Sequence, residues 1–233
     1  MVKNSFDNLR LRYKNLIILN RDLHEDIKDT HPKIKDPITR LIAREEAYHL
    51  KSYDGTWHPK WSIFDLYERG YELFATSVGG GDASYLWIEY KTAYWTYIKP
   101  PFSLPTNTSR ISNAYTKPDF RCLGLSKYTY NHALNYLKNK GFECAFLEIE
   151  INNKPSLKSV KEVGFKPYLW VKYFQIGVLT FYWLHDGRRT GLYLSLWNKV
   201  PRKVNDRFYP TTDVKMGIVS NQQEGIIKNS DSH

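Results

Sequence analysis

From Leu125 to Lys140 the apolar positions recur with a helical period: Leu125, Thr129, Ala133 and Leu137 share one stripe, with Tyr130 and Leu134 beside it. Lys138 and Lys140 fall in the last turn, where they complement the helix dipole, and Gly141 stands where a helix takes a left-handed cap. The period then changes to two. Across Cys144 to Ile151, Ala145, Leu147, Ile149 and Ile151 face one way, and Phe146, Glu148 and Glu150 the other, which predicts a strand. Asn153 to Gly164-Phe165 returns to a helical pattern, with Pro155 in its first turn and Gly164 closing it.

Upstream, Arg110 to Thr116 and Leu9 to Leu19 read as strands. Asp36-Pro37 reads as an N-cap followed by proline at the first helical position. Ile38, Leu41, Ile42, Glu45 and His49 follow at helical spacing, predicting a short helix there. Asp54-Gly55 is a turn, and Pro59 opens a second helical pattern through Trp61, Phe64 and Leu66 that Gly70 closes. Tyr71 to Val78 and Ser84 to Ile98 predict strands joined by the turn Gly79-Gly80-Gly81-Asp82. Pro100-Pro101 and Pro105 predict a loop in which no ladder persists.

Downstream, Tyr168 to Leu184 and Gly191 to Trp197 supply late strands around a turn at Asp186-Gly187. The pattern becomes polar from Val204. Residues 1–203 are therefore expected to form one domain, with 204–233 a loosely ordered polar extension. The order β-α-α-β-β-β-α-β-α-β-β predicts an α/β (α+β) domain built on a mixed, largely antiparallel sheet.

Composition narrows the class. At 233 residues, 42% hydrophobic and 15% aromatic, the chain can bury a sizeable core. A formal net charge of +10 fits either an anionic partner or a basic solvated surface. No RNA-reading motif accompanies that charge, so a specific nucleic-acid partner is not expected. The most apolar run, Tyr168 to Leu184, is interrupted by Lys172 and Gln175; it suits buried strands and predicts no membrane span. With only Cys122 and Cys144, at opposite ends of one predicted helix, reduced thiols and a cytoplasmic location are expected. The seven histidines are scattered, without cysteines or carboxylates at ligand spacing, so no metal site is expected.

Between the strand ending at Thr116 and the helix from Leu125 lies Arg121-Cys122-Leu123-Gly124-Leu125-Ser126. A strand, a tight turn with glycine and a helix start make an anion site, because the first helical N–H groups lack intrahelical partners and the dipole is positive there. Gly79-Gly80-Gly81 lacks the Gly-Lys-Ser/Thr ending of a P-loop, and no Gly-x-Ser-x-Gly elbow is present. Cys122 reads either as a thiol activated by the helix start or as a variable loop position.

These residues resemble the signatures of the GNAT superfamily of acyl-CoA-dependent N-acyltransferases. The family's Arg/Gln-x-x-Gly-x-Gly/Ala is similar to Arg121-Cys122-Leu123-Gly124-Leu125-Ser126, and Lys117-Pro118-Asp119-Phe120 resembles its approach to the loop. The family's later asparagine and closing Gly-Phe are similar to Asn153-Lys154-Pro155-Ser156 and Gly164-Phe165. The resemblance implies helices on both faces of the sheet and splayed fourth and fifth strands. It implies that acetyl-CoA or another acyl-CoA is the donor, its pyrophosphate held by the backbone of 122–126. Arg121 would either cap the loop or meet a phosphate, and Ser126 would fit where the family has Gly or Ala. Asn113 to Thr116, including Tyr115 and Thr116, would lie along the pantetheine arm, and Asn153 and Ser156 would stand at the splayed end of the fifth strand. For Asn153 a simple helix cap is the other reading.

The chemistry implied is direct transfer of an acyl group, acetyl first, to a primary amine on a small-molecule or peptide acceptor. Such transfer needs a base for the amine and help for the departing thiolate. The family's acidic tyrosine falls at Val160, which has no proton to give, and no carboxylate lies in Arg110 to Thr116. Glu89 is the candidate base by elimination; a solvated strand residue is its other reading. The aromatic segments Tyr85 to Tyr97 and Tyr168 to Trp197 would flank the acceptor, and the late strands permit a homodimer. A scaffold that keeps the fold as a binding or sensor module is the alternative function.

Overall fold

A computed structural model describes residues 11–49, 63–90, 92–94 and 101–196. Eleven strands and three α-helices lie within them. In chain order they are β1 (Leu11–Asp22), β2 (Ile38–Ile42), α1 (Ile63–Glu68), β3 (Glu72–Val78), β4 (Gly81–Glu89), β5 (Thr92–Tyr94), β6 (Pro101–Ser103), β7 (Thr108–Thr116), α2 (Leu125–Asn139), β8 (Cys144–Glu150), α3 (Lys154–Glu162), β9 (Lys166–Ile176), β10 (Leu179–His185) and β11 (Thr190–Leu196). The turn expected at Asp54-Gly55, the helix start at Pro59, and everything expected from Trp197 onward lie outside the described residues.

Nine strands form one sheet in the order β11-β10-β9-β1-β8-β7-β4-β3-β2. Every neighbouring pair is antiparallel except β7 and β8. The expected mixed, largely antiparallel sheet is therefore present. Side chains alternate across it: Leu86, Ile88, Ala145, Leu147 and Ile149 pack with Ala133, Leu134 and Leu137 of α2 and Val160 of α3. On the opposite face Leu73, Ala75, Tyr85 and Trp87 pack with Ile63 and Leu66 of α1. Helices thus cover both faces.

Two segments differ from the sequence reading. Ile38 to His49 is not a helix: Ile38–Ile42 is an edge strand on β3, followed by a 3-10 turn at Glu46–His49. Asp36 has φ 51°, a left-handed turn residue and not a helix cap. Ile38 and Leu41, two of the residues at helical spacing, are 64% and 40% exposed, so their spacing reflects no buried helical face. The open edge of β3 offers a full set of backbone partners, and β-branched Ile38 and Thr39 suit it; Thr39 adds a 2.7 Å hydroxyl contact to Thr76. The second difference is that the predicted long strand ends at Glu89. Thr92–Tyr94 pairs instead with Pro101–Ser103 in a separate two-stranded ladder, so a ladder does persist at Pro101. Proline is tolerated there because Pro101 opens an edge strand, where no second neighbour needs its missing N–H.

The placement of β1 is what no local pattern reveals. The connection β8–α3–β9 leaves a gap one strand wide, and the N-terminal strand fills it, antiparallel to both neighbours. Its Leu16, Ile17, Ile18 and Leu19 are all buried. At about 1.5–3 kcal/mol for each such side chain, their gross contribution rivals the ~5–15 kcal/mol net stability of a whole domain. The sheet holds its two halves together through β1.

Candidate active site

Strands β7 and β8 pair only at Thr108↔Cys144, Ser109↔Ala145 and Arg110↔Phe146, and the ladder then ends. The strands diverge beyond that point, leaving a cleft of about 400 Å³. It is lined by Arg110 to Ala114 of β7, Leu147 to Glu150 of β8, Tyr130 of α2, and Asn153 and Ser156 at the start of α3. A β-bulge shapes the β7 wall. Tyr85 pairs with Tyr115 and Trp87 with Ser112, so Asn113 and Ala114 together oppose Leu86. Asn113 takes φ 49°, which asparagine tolerates better than most residues. The bulge interrupts the ladder to β4 where the wall faces the cleft.

One side of the cleft carries a buried ion cluster. The Arg110 guanidinium binds Glu148 through two nitrogens, Nε at 2.9 Å from Oε2 and Nη2 to Oε1, and reaches Glu89 Oε1 with Nη1 at 2.5 Å. All three side chains are almost fully buried. One guanidinium cannot neutralise two carboxylates. Burial pushes the Glu89 carboxyl up, the charge of Glu148 adds to that, and Arg110 and the Ser112 hydroxyl act against it. Glu89 itself is not on the cleft wall, whereas Arg110, Ser112 and Glu148 are.

The loop Arg121 to Ser126 stands at the start of α2, which begins at Leu125 with Gly124 as N-cap at φ 86°, ψ 0°. No side chain caps this helix start. The space before the Gly124 α-carbon holds Pro32 of the strap joining β1 to β2: a Cβ there would lie 3.4 Å from Pro32 Cα, an ordinary contact. Glycine is needed for its left-handed φ, not to admit a close neighbour. The strap is fixed by Lys33 N–H donating to Leu123 O at 2.8 Å, and it brings the exposed His31, Lys33 and Lys35 alongside the loop.

The expected donor-binding residues divide into two groups. Asn153 and Ser156 line the cleft. Asn153 is also the cap of α3, its Oδ1 accepting from Ser156 N–H at 3.3 Å, so both readings of that residue hold geometrically. Arg121 turns back to β7, its Nε donating to Thr116 O at 3.1 Å and its guanidinium lying 5.7 Å from the Tyr115 ring centre. Tyr115 packs on Tyr85, and Thr116 Oγ1 lies 3.0 Å from Ser84 Oγ; neither is on the cleft wall. Cys122 is exposed at φ 62°, Leu125 is buried, and Ser126 Oγ lies 3.3 Å from Ser159 Oγ. Cys122 and Cys144 are both free, and burial pushes the Cys144 thiol up to about 12.

Arg110, Glu148, Ser112 and Tyr130 escaped the sequence reading. The signal present was an arginine inside a strand of otherwise uncharged residues, and the two glutamates of β8. A charge inside a buried strand demands a partner. Tyr130 was hidden within the apolar stripe of its helix.

Splayed parallel strands and a glycine-led helix start are the arrangement that the sequence resemblance implied. The sequence matches the Acetyltransferase (GNAT) family over residues 47–165, just over half of the chain, and the chain belongs to that family. No curated protein matches the sequence. Among solved structures, a putative GNAT-family acetyltransferase from Novosphingobium aromaticivorans superposes with TM-score 0.50 at 12% identity, covering 69% of this chain and 63% of that one. A GCN5-related glucosamine N-acetyltransferase region of a fungal multi-domain β-N-acetylglucosaminidase gives TM-score 0.52 at 16% identity, covering 72% and 21%. A GCN5-related N-acetyltransferase from Sphaerobacter thermophilus gives 0.51 at 9%, covering 71% and 53%. The chain thus spans less than two thirds of each of these relatives, and at such identities they share its fold.

Proposed function

We propose that this chain is an N-acyltransferase that moves an acyl group, acetyl first, from acyl-CoA to a primary amine. The observation that carries the reading is the cleft where β7 and β8 part, opening beside the helix whose uncapped N-terminus follows Gly124. An extended arm fits a slot between two strand edges, where backbone groups outside the ladder bond it as a further strand would. The residues present fit such a donor: the 122–126 backbone offers N–H groups to a pyrophosphate, and Asn113, Asn153 and Ser156 offer polar groups along the slot. When bound, the donor supplies an activated thioester carbonyl.

The chain's own groups then divide the remaining work. A buried carboxyl whose affinity for protons is raised suits proton abstraction near neutral pH. Glu89 is that group, and Ser112, on the cleft wall beside it, is the relay between Glu89 and the acceptor nitrogen. Arg110 fixes Glu89 and is itself held by Glu148, so the carboxyl stays aimed beside Ser112. In this reading the exposed Leu192 and Leu194 of the edge strand β11 are where a second copy meets the first, and a solution mass checks it. No helix among the described residues is long and apolar enough to cross a membrane.

Titration calorimetry with acetyl-CoA, followed by thiol release with a panel of primary amines, tests the function. Saturable binding and amine-dependent thiol release support it; absence of binding overturns it. Val160, buried in the core with no proton to donate, favours a second reading, a binding module that keeps the slot without turnover. Saturable binding with no thiol release by any amine is that reading's signature.

A further inference from the structure

Tyr130 is 6% exposed and lines the cleft, yet its hydroxyl makes no hydrogen bond among the described residues. Its ring packs edge-on to Phe165 at 6.0 Å, which fixes the side chain from the turn after α3. A buried phenol normally finds a partner, since leaving a hydroxyl unpaired costs on the order of 1–3 kcal/mol. The Ser112 hydroxyl on the same wall faces the Glu89 carboxyl. Tyr130 has no such neighbour. Burial alone acts on its proton, raising its pKa and keeping the group a neutral donor throughout the physiological range.

We propose that Tyr130 is the hydrogen-bond donor to the departing sulfur, supplying from α2 what position 160 on α3 cannot. This inference rests on the acyltransferase reading above. As the amine nitrogen bonds to the acyl carbon, the carbon–sulfur bond breaks and its electron pair stays on sulfur. The proton lost by nitrogen passes through Ser112 to Glu89. Tyr130 keeps its own proton: a phenol of pKa above about 10 does not surrender it to a thiolate of about 8.5. The hydroxyl stabilises the sulfur anion by a charge-assisted hydrogen bond, and the sulfur takes its proton from solvent on release. The same donor has no comparable anion to meet before the bond breaks, so its effect falls on the transition state.

The test uses free CoA, whose thiol carries the same sulfur, together with the acceptor-free breakdown of acetyl-CoA to free thiol. The bound thiol is titrated by its thiolate absorbance in the native protein and in Tyr130→Phe. The expected result is equal CoA affinity within about twofold and a bound thiol pKa about one unit lower in the native protein than in the variant. Thiol release from acetyl-CoA falls at least about tenfold in the variant. Equal CoA affinity with the same thiol pKa in both proteins overturns the role of Tyr130 and leaves the donor site standing. A native protein that does not bind CoA overturns the acyltransferase reading and this inference with it. Should Tyr130→Phe fail to fold, 3-fluorotyrosine throughout the chain gives the same comparison: the more acidic phenol lowers the bound thiol pKa further, and an unchanged value overturns the proposal.

Discussion

The guanidinium of Arg21 lies directly over the α-carbon of Gly164. A Cβ built there would stand 2.9 Å from Arg21 Nε and 3.0 Å from Cζ, and the glycine has φ 91°. Arg21 is itself buried and fixed, Nη1 to Glu25 at 2.6 Å and Nη2 to the Asp26 carbonyl at 2.7 Å. It cannot move aside without losing those partners. The glycine of the Gly-Phe pair therefore serves two needs at once, a left-handed turn after α3 and contact with β1.

Gly164→Ala is expected to cost about 2–4 kcal/mol, from left-handed strain of about 1–2 and a similar amount for displacing Arg21. Urea unfolding of this variant, of Arg21→Ala and of the double variant checks it. Because the clash needs Arg21, the two losses should be less than additive. Strict additivity would mean that the contact carries no energy.

The buried carboxyls predict a pH dependence with a definite sign. Glu89 holds its proton more tightly folded than unfolded, chiefly through burial. Its protonated form therefore contributes stability that is complete below the unfolded value near 4.5 and is lost as pH rises through the raised folded value. Glu89→Gln keeps the shape and cannot ionise. Thermal melts at a series of pH values should show the native protein losing stability relative to Glu89→Gln as pH rises above about 5. A constant difference would show that folding leaves the proton affinity of Glu89 unchanged, and a native protein that gains on Glu89→Gln as pH rises would mark Glu89 as an ordinary ion-pair partner.

How much of this was legible follows from where each signal sits. The helix from Leu125, the strand from Cys144 and the turn at Gly164 were readable because periodicity, caps and positive-φ glycines are all local. Ile38 to Ile42 reads as a helix because its apolar spacing matches one, while the deciding partner, β3, lies more than thirty residues away. The splay of β7 and β8 was available only through family resemblance, since nothing within either strand says where a ladder stops. Arg110 is a similar case: its type hints at burial, but its two carboxylates come from separate strands, β4 and β8. Tyr130 was read as core because a helical stripe does not say which of its members reaches the cleft.

Gly124 tests the helix-start site apart from the cleft. Its φ of 86° sets the turn that aims the first amides of α2, and its missing Cβ is not what lets Pro32 approach. Gly124→Ala should therefore fit sterically but strain the backbone by about 1–2 kcal/mol, whereas Gly124→Asn, better tolerated in that conformation, should cost less. If the 122–126 amides hold the pyrophosphate, Gly124→Ala should weaken acetyl-CoA binding about tenfold, and Gly124→Asn by less. Both should leave unchanged the binding of pantetheine, which lacks the pyrophosphate. Calorimetry with the two ligands decides it. Parallel losses for both would show that the substitution acts by general loosening of α2, and that the helix start does not hold the anion.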